Sequence, residues 1–139
     1  MRTKPLSEIT KTICKNINIC MQVNETKQET LALAIGASQQ AVSRFTQGHC
    51  IPKPEQIVAI CDYYYISIDQ LYGKKELVVL TDDEKFYYDY IINHFDIFDG
   101  IKKSIEITSS TDLRIEICKL IKNDSSLIER INNKLNESK

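Results

Sequence analysis

A chain of 139 residues with a formal net charge of −1 can hold one domain of ordinary size, or a small domain with an appendage, and excludes two large ones. Hydrophobic content of 42% and charged content of 27% match a globular chain with a buried core and exclude wholesale disorder. Only 4 Gly and 3 Pro speak for long helices with short connections, so the expected fold class is all-α.

In chain order, Leu6, Ile9, Ile13, Ile17 and Cys20 step by three and four and predict an amphipathic first helix that Ser7 can cap. "TKQE", Thr26 to Glu29, has capping-box spacing and predicts a second helix from about Lys27, with Leu31, Ala32 and Ile35 inward and Gly36 as its stop. Ser38 is the next N-cap. It predicts a third helix from about Gln39 to Gln47, with Val42 and Phe45 inward and Gly48 as terminator. Pro54 at a first-turn position opens a fourth, with Ile57, Ile60 and Cys61 at helical spacing. Ser67 and Gln70 stand at capping-box distance and start a short fifth, returning Ile68 and Leu71 to the core.

Residues 1–73 thus form a five-helix unit, and residues 74–80 read as a linker, with a short strand as the alternative. Residues 81–139 form a smaller helical C-terminal region. Thr81 and Glu84 make a third capping box, opening a helix that carries Phe86, Tyr87, Tyr90, Ile91, His94, Phe95 and Phe98 and ends near Gly100. That aromatic stripe suits core or dimer interface, with His94 a histidine whose nitrogen is satisfied. Further helices are expected over 101–107, 112–122 and 126–136, burying Leu113, Ile117, Leu120, Leu127, Ile131 and Leu135. The residues after Leu80 are too few for a substantial core of their own, which points to dimerisation or partner binding.

Five cysteines without a C-x-x-C pair suit reduced thiols in a cytosol, and the N-terminus lacks an unbroken apolar run, so a cytoplasmic protein with no membrane span is expected. His49 and His94 lie far apart with no zinc spacing around them, so no metal and no cofactor are expected. No G-x-S-x-G, P-loop or H-E-x-x-H occurs, and the chain reads as no enzyme.

The small net charge conceals a division. Residues 1–80 carry 9 Lys+Arg against 7 Asp+Glu, and residues 81–139 carry 9 against 12. From Thr30 through Pro54 there is no Asp or Glu at all, where the chain's average content predicts about three. A surface that meets phosphates disfavours carboxylates in this way. With Val42 and Phe45 turned inward, Gln39, Gln40, Arg44 and Gln47 point elsewhere, and Gln40 and Arg44 form an i, i+4 pair on one face. Their amide and guanidinium groups match the major groove, where Gln pairs with adenine N6 and N7 and Arg with guanine O6 and N7. Ala41 between them is small enough for close approach to a thymine methyl. An ordinary solvated helix face is the plain alternative.

Over residues 26–73 the chain resembles the lambda-repressor and Cro-like helix-turn-helix family of bacterial and phage transcriptional regulators. The resemblance is carried by Gln28 opening helix two, the run "LALAIGASQQAVSRFTQG", Pro52 after helix three, and "ISIDQLYG" closing the unit. It implies a five-helix DNA-binding domain in which Gln39, Gln40 and Arg44 read base edges. It implies further that Gln28 contacts a phosphate and buttresses the first of these, that Ser38 and Gln47 hold the backbone at the two ends of helix three, and that Lys53 adds a cationic phosphate contact.

Three positions depart from the family. Thr46 stands where a Glu commonly pairs with an Arg of helix one, and no Arg is available here. The connection around "MQVNET" is longer by about a turn. Tyr65 stands where the family usually has Gly or Asn, so either the loop differs or this residue takes a strained positive φ. The expected partners are double-stranded DNA and a second copy of the chain in a homodimer, with an antirepressor as a further protein partner. The alternative is an antitoxin or other interaction module whose C-terminal helices bind a toxin or another partner protein.

Overall fold

The computed structural model describes residues 3–94 and 112–137, with side chains described from residue 8 onward. The described residues are all-helical, without a strand. The chain divides into two compact units, Met1–Val79 and Leu80–Lys139.

The first unit begins with α1 (Thr3–Asn24), followed by α2 (Gln28–Ile35), α3 (Gln39–Thr46), α4 (Pro54–Tyr64) and α5 (Ile68–Leu71). α1 starts four residues ahead of the expected Ser7 cap, and Pro5 falls in its first turn, where a missing N–H costs nothing. It also runs to Asn24, absorbing as helix most of what reads in sequence as a long connection. Its inward face is Ile13, Cys14, Ile17, Cys20 and Met21; Ile9, expected there, is 44% exposed, and the Leu6 side chain lies outside the described residues.

The Thr26 capping box does not form. Thr26 Oγ1 accepts from the Tyr64 hydroxyl at 2.9 Å, and α2 starts one residue later behind Lys27, which offers no side-chain cap. Gly36 ends α2 at φ 70°, a conformation open to glycine, and its N–H donates to the Ala32 carbonyl.

The core gathers Ile13, Ile17, Leu31, Ile35, Val42, Phe45, Ile57, Ile60, Tyr64 and Leu71 from all five helices. Leu77 and Val79, from the stretch read as a linker, pack with the same core. The Ser67 and Gln70 capping box is present in both halves. Ile68 is 48% exposed rather than inward; Ile66, just ahead of the cap, takes the buried place. Tyr65 adopts the left-handed conformation, φ 58° and ψ 41°, as the C-cap of α4.

One buried polar knot ties the unit's ends together. The Asn16 amide donates to the Gln70 and Leu71 carbonyls at 3.3 and 2.9 Å, satisfying the C-terminus of α5, while the Gln70 amide donates to the Glu76 carbonyl. Gly73 follows at φ 80°, where a Cβ would sit 2.7 Å from the Thr12 methyl, so a larger residue would strain the backbone and force the Thr12 side chain aside.

The second unit contains α6 (Asp82–Asn93), α7 (Leu113–Asn123) and α8 (Ser125–Glu137). The Thr81 and Glu84 capping box is present in both halves. α6 buries Tyr88 and Ile91, whereas Phe86 is 51% exposed, so the inward face is rotated from the expected stripe. The helix closes at Asn93, short of Gly100; there His94 Nδ1 lies 2.9 Å from the Tyr90 carbonyl oxygen and its ring stacks on Tyr90. Phe95, Phe98 and the helix expected over 101–107 lie outside the described residues.

α7 turns Ile115, Ile117, Cys118 and Ile121 inward and leaves Leu113 42% exposed, with Leu120 and Leu135 only partly buried. The buried residues of α8 are Leu127 and Ile131. The Lys122 ammonium donates to Glu84 Oε1 at 2.8 Å, joining α7 to α6, and the Tyr87 hydroxyl donates to Asn132 at 3.0 Å, joining α6 to α8. Burial alone would raise the Glu84 carboxyl, but the bond from Lys122 and the capping amide of Thr81 outweigh it and hold the group below its ordinary value.

Candidate nucleic-acid interface

α2 and α3 pack against each other across a three-residue turn, Gly36–Ala37–Ser38. Ser38 ends the turn in an extended conformation, and its Oγ accepts from the Ala41 amide at 3.1 Å. The hydroxyl proton of Ser38 remains available to a further acceptor. Behind α3, Val42 is fully buried and Phe45 nearly so, which fixes the helix rotationally.

With those two anchors inward, Gln39, Gln40, Arg44 and Gln47 are exposed and Ala41 lies between the inward and outward rows. Among the described residues the side chains of Gln39, Gln40 and Arg44 make no hydrogen bond or ion pair, so their donors and acceptors face water. Gln47 donates from Nε2 to Ser43 Oγ at 3.2 Å and caps the C-terminus of α3. Lys53 is exposed just ahead of α4, where its amide donates to Gln56 Oε1 at 3.0 Å and its ammonium is in no ion pair among the described residues.

Gln28 stands on the first residue of α2, half-buried, with Nε2 3.5 Å from Thr46 Oγ1, at the long limit for a hydrogen bond. Gln28, Gln39 and Thr46 line one cleft, flanked by Lys27 and Glu29. The sequence offers no warning of the clamp behind it. Asn18 on α1 donates from Nδ2 to the Thr46 carbonyl at 2.9 Å, so an amide-to-backbone bond links α1 to the end of α3 at the place where the family resemblance leads one to look for an ion pair. An asparagine on an exposed-looking helix turn gives no local sign of a partner 28 residues away.

The seven residues singled out in the sequence all lie on the α2–α3 pair or its immediate flanks, in one unit of the molecule. The row on α3 can do one chemical thing well: offer paired amide and guanidinium groups, at helical spacing, to a surface that presents acceptors and donors of its own. Compared with protein-family models, curated proteins and solved structures, the chain matches none.

Proposed function

We propose that this chain is a sequence-specific DNA-binding transcriptional regulator, a repressor that binds an inverted-repeat operator as a homodimer, and that its first unit works as a lambda-repressor-like helix-turn-helix domain. The observation that carries the reading is the exposed, unpartnered row Gln39, Gln40 and Arg44 on a helix anchored by Val42 and Phe45, inside the acid-free stretch from Thr30 through Pro54.

In this reading α3 enters the major groove. Gln40 spans adenine N6 and N7, Arg44 spans guanine O6 and N7, Gln39 reads the neighbouring pair, and Ala41 leaves room for a thymine methyl. Gln28, Ser38, Gln47 and Lys53 contact the phosphates on either side and set the register, contributing affinity rather than sequence discrimination. The N-terminal amides of α3 add a favourable field for a phosphate. Two copies place their α3 helices about 34 Å apart, one helical turn of DNA, and the second unit supplies the dimer contact.

Fluorescence anisotropy with fragments of the native locus tests this. Gln40→Ala and Arg44→Ala should each weaken binding to the preferred fragment by about 1 to 3 kcal/mol, and binding by both variants at wild-type strength would remove the assigned reading face. A competing reading, an antitoxin-like interaction module, draws on Phe86, Ile92 and Leu113, each more than two-fifths exposed on the second unit. A toxin that copurifies in stoichiometric amount would favour it over the homodimer.

A further inference from the structure

Of the five cysteines, Cys14, Cys20, Cys61 and Cys118 are buried, and Cys50 alone is partly open to water. Cys50 opens onto a cleft shared with Ala37, Ser38, Ala41, Lys53 and Gln56, beside the N-terminal half of α3. Behind it, Cys14 on α1 donates its S–H to the Cys50 carbonyl at 3.4 Å. The buried Cys14 sulfur therefore lies against the main chain of Cys50, 36 residues away, whose own side chain is partly open to solvent.

We propose that Cys50 and Cys14 form a peroxide-oxidised thiol pair, in which Cys50 is the reactive thiol, Cys14 resolves it, and the resulting disulfide distorts the end of α3. The oxidant is a hydroperoxide. The Cys50 sulfur attacks one peroxide oxygen, the O–O bond breaks, Cys50 becomes a sulfenic acid and the other oxygen leaves as water or alcohol. The Cys14 sulfur then attacks the Cys50 sulfur, the S–O bond breaks, and hydroxide leaves with the Cys14 proton as water. Two thiols lose two electrons, and the peroxide bond accepts both. Burial, and the Cys50 thiol beside it, hold Cys14 above the ordinary thiol value, so the first oxidation falls on the more open Cys50.

The mechanical consequence lies in what Cys50 follows. The His49 amide donates to the Arg44 carbonyl at 3.0 Å and the Gly48 amide donates to the Phe45 carbonyl at 3.1 Å, so the segment reaching Cys50 is bonded to the last turn of α3. A disulfide needs its sulfurs about 2.05 Å apart, and making it breaks the Cys14 bond to the Cys50 carbonyl and draws the Cys50 side chain inward. The turn carrying Arg44 moves with it. This effect on DNA binding rests on the function proposed above.

The full-length reduced protein is treated with hydrogen peroxide, alkylated, and digested without reductant. Mass spectrometry should find the Cys14 and Cys50 peptides joined and two hydrogens lighter than their reduced sum, with dithiothreitol separating them. Unlinked peptides, or Cys50 joined to another cysteine, would overturn the pair. In parallel, peroxide should lower the wild-type affinity for the native-locus fragment about tenfold, reversibly, and leave Cys50→Ser unchanged. A disulfide that forms while affinity stays within about twofold would overturn its effect on α3. If the reduced protein binds no DNA fragment, the DNA-binding reading fails, and the thiol pair stands or falls on the mass spectrum.

Discussion

The two units differ in how they use some of their exposed polar side chains. In Leu80–Lys139, Lys85 pairs with Asp82, Lys119 lies near Glu116, Lys122 bonds Glu84, and Tyr87 reaches Asn132, so much of the charge and hydroxyl complement holds the three described helices to themselves and to one another. In Met1–Val79, by contrast, α3 turns two amides and a guanidinium to water without a partner among the described residues, and Lys53 does the same nearby. A polar group with an internal partner reports on stability. One held in place by a buried neighbour, yet facing water, contributes little to stability.

Mutations should separate these uses. The largest effect is expected behind the face rather than on it: Phe45→Ala should cost about 3 to 5 kcal/mol in denaturant unfolding and abolish DNA binding with the fold. Next, Asn16→Ala leaves the Gln70 and Leu71 carbonyls without their buried donor and should cost about 1 to 3 kcal/mol of stability in the same measurement. Arg44→Ala should do the reverse, moving unfolding by no more than about 0.5 kcal/mol while DNA affinity falls. In the second unit, Thr81→Ala removes the α6 cap and should cost about 1 kcal/mol by thermal melting, with no change in reading specificity.

The smallest effect is on pH dependence. Because the folded Glu84 carboxyl titrates below its ordinary 4.5, its contribution is complete above that pH and is lost as the pH falls below it through the lowered value. Glu84→Gln should flatten that acid limb of the stability curve of the second unit, and an unchanged limb would show that another carboxylate governs it.

Several elements of both units were legible because their signals are local. Gly36, the Ser38 cap and the Val42 and Phe45 spacing define α3 without reference to anything beyond the helix, and the Ser67 and Thr81 caps are likewise complete within four residues. Where the reading missed, a distant partner decided the outcome. Thr26 has the spacing of a capping box, but Tyr64, 38 residues away, takes its hydroxyl. The fifth helix was expected to bury Ile68, and packing selected Ile66 instead.

In α7 the apolar residues at 113, 115, 117, 118, 120 and 121 make two overlapping stripes, each with helical spacing. Periodicity cannot choose between them; contact with α6 and α8 does. α6 is similar, since aromatic or aliphatic residues occur almost all the way round it and only its neighbours distinguish Tyr88 from Phe86. For the candidate site, the exposed row was visible in the sequence, whereas the Asn18 bond to Thr46 and the meeting of Cys14 with Cys50 join segments far apart in the chain and have no local signature.

The central claim, that the outward row of α3 reads bases, is tested most directly by selecting bound sequences from a random duplex library with the wild-type chain and with Gln40→Ala and Arg44→Ala. The account predicts a two-fold symmetric preferred site for the wild type, with each substitution relaxing one position per half-site, an A·T pair for Gln40 and a G·C pair for Arg44. A preferred site that is identical for all three proteins, or no enriched sequence for a folded wild-type chain, would contradict it.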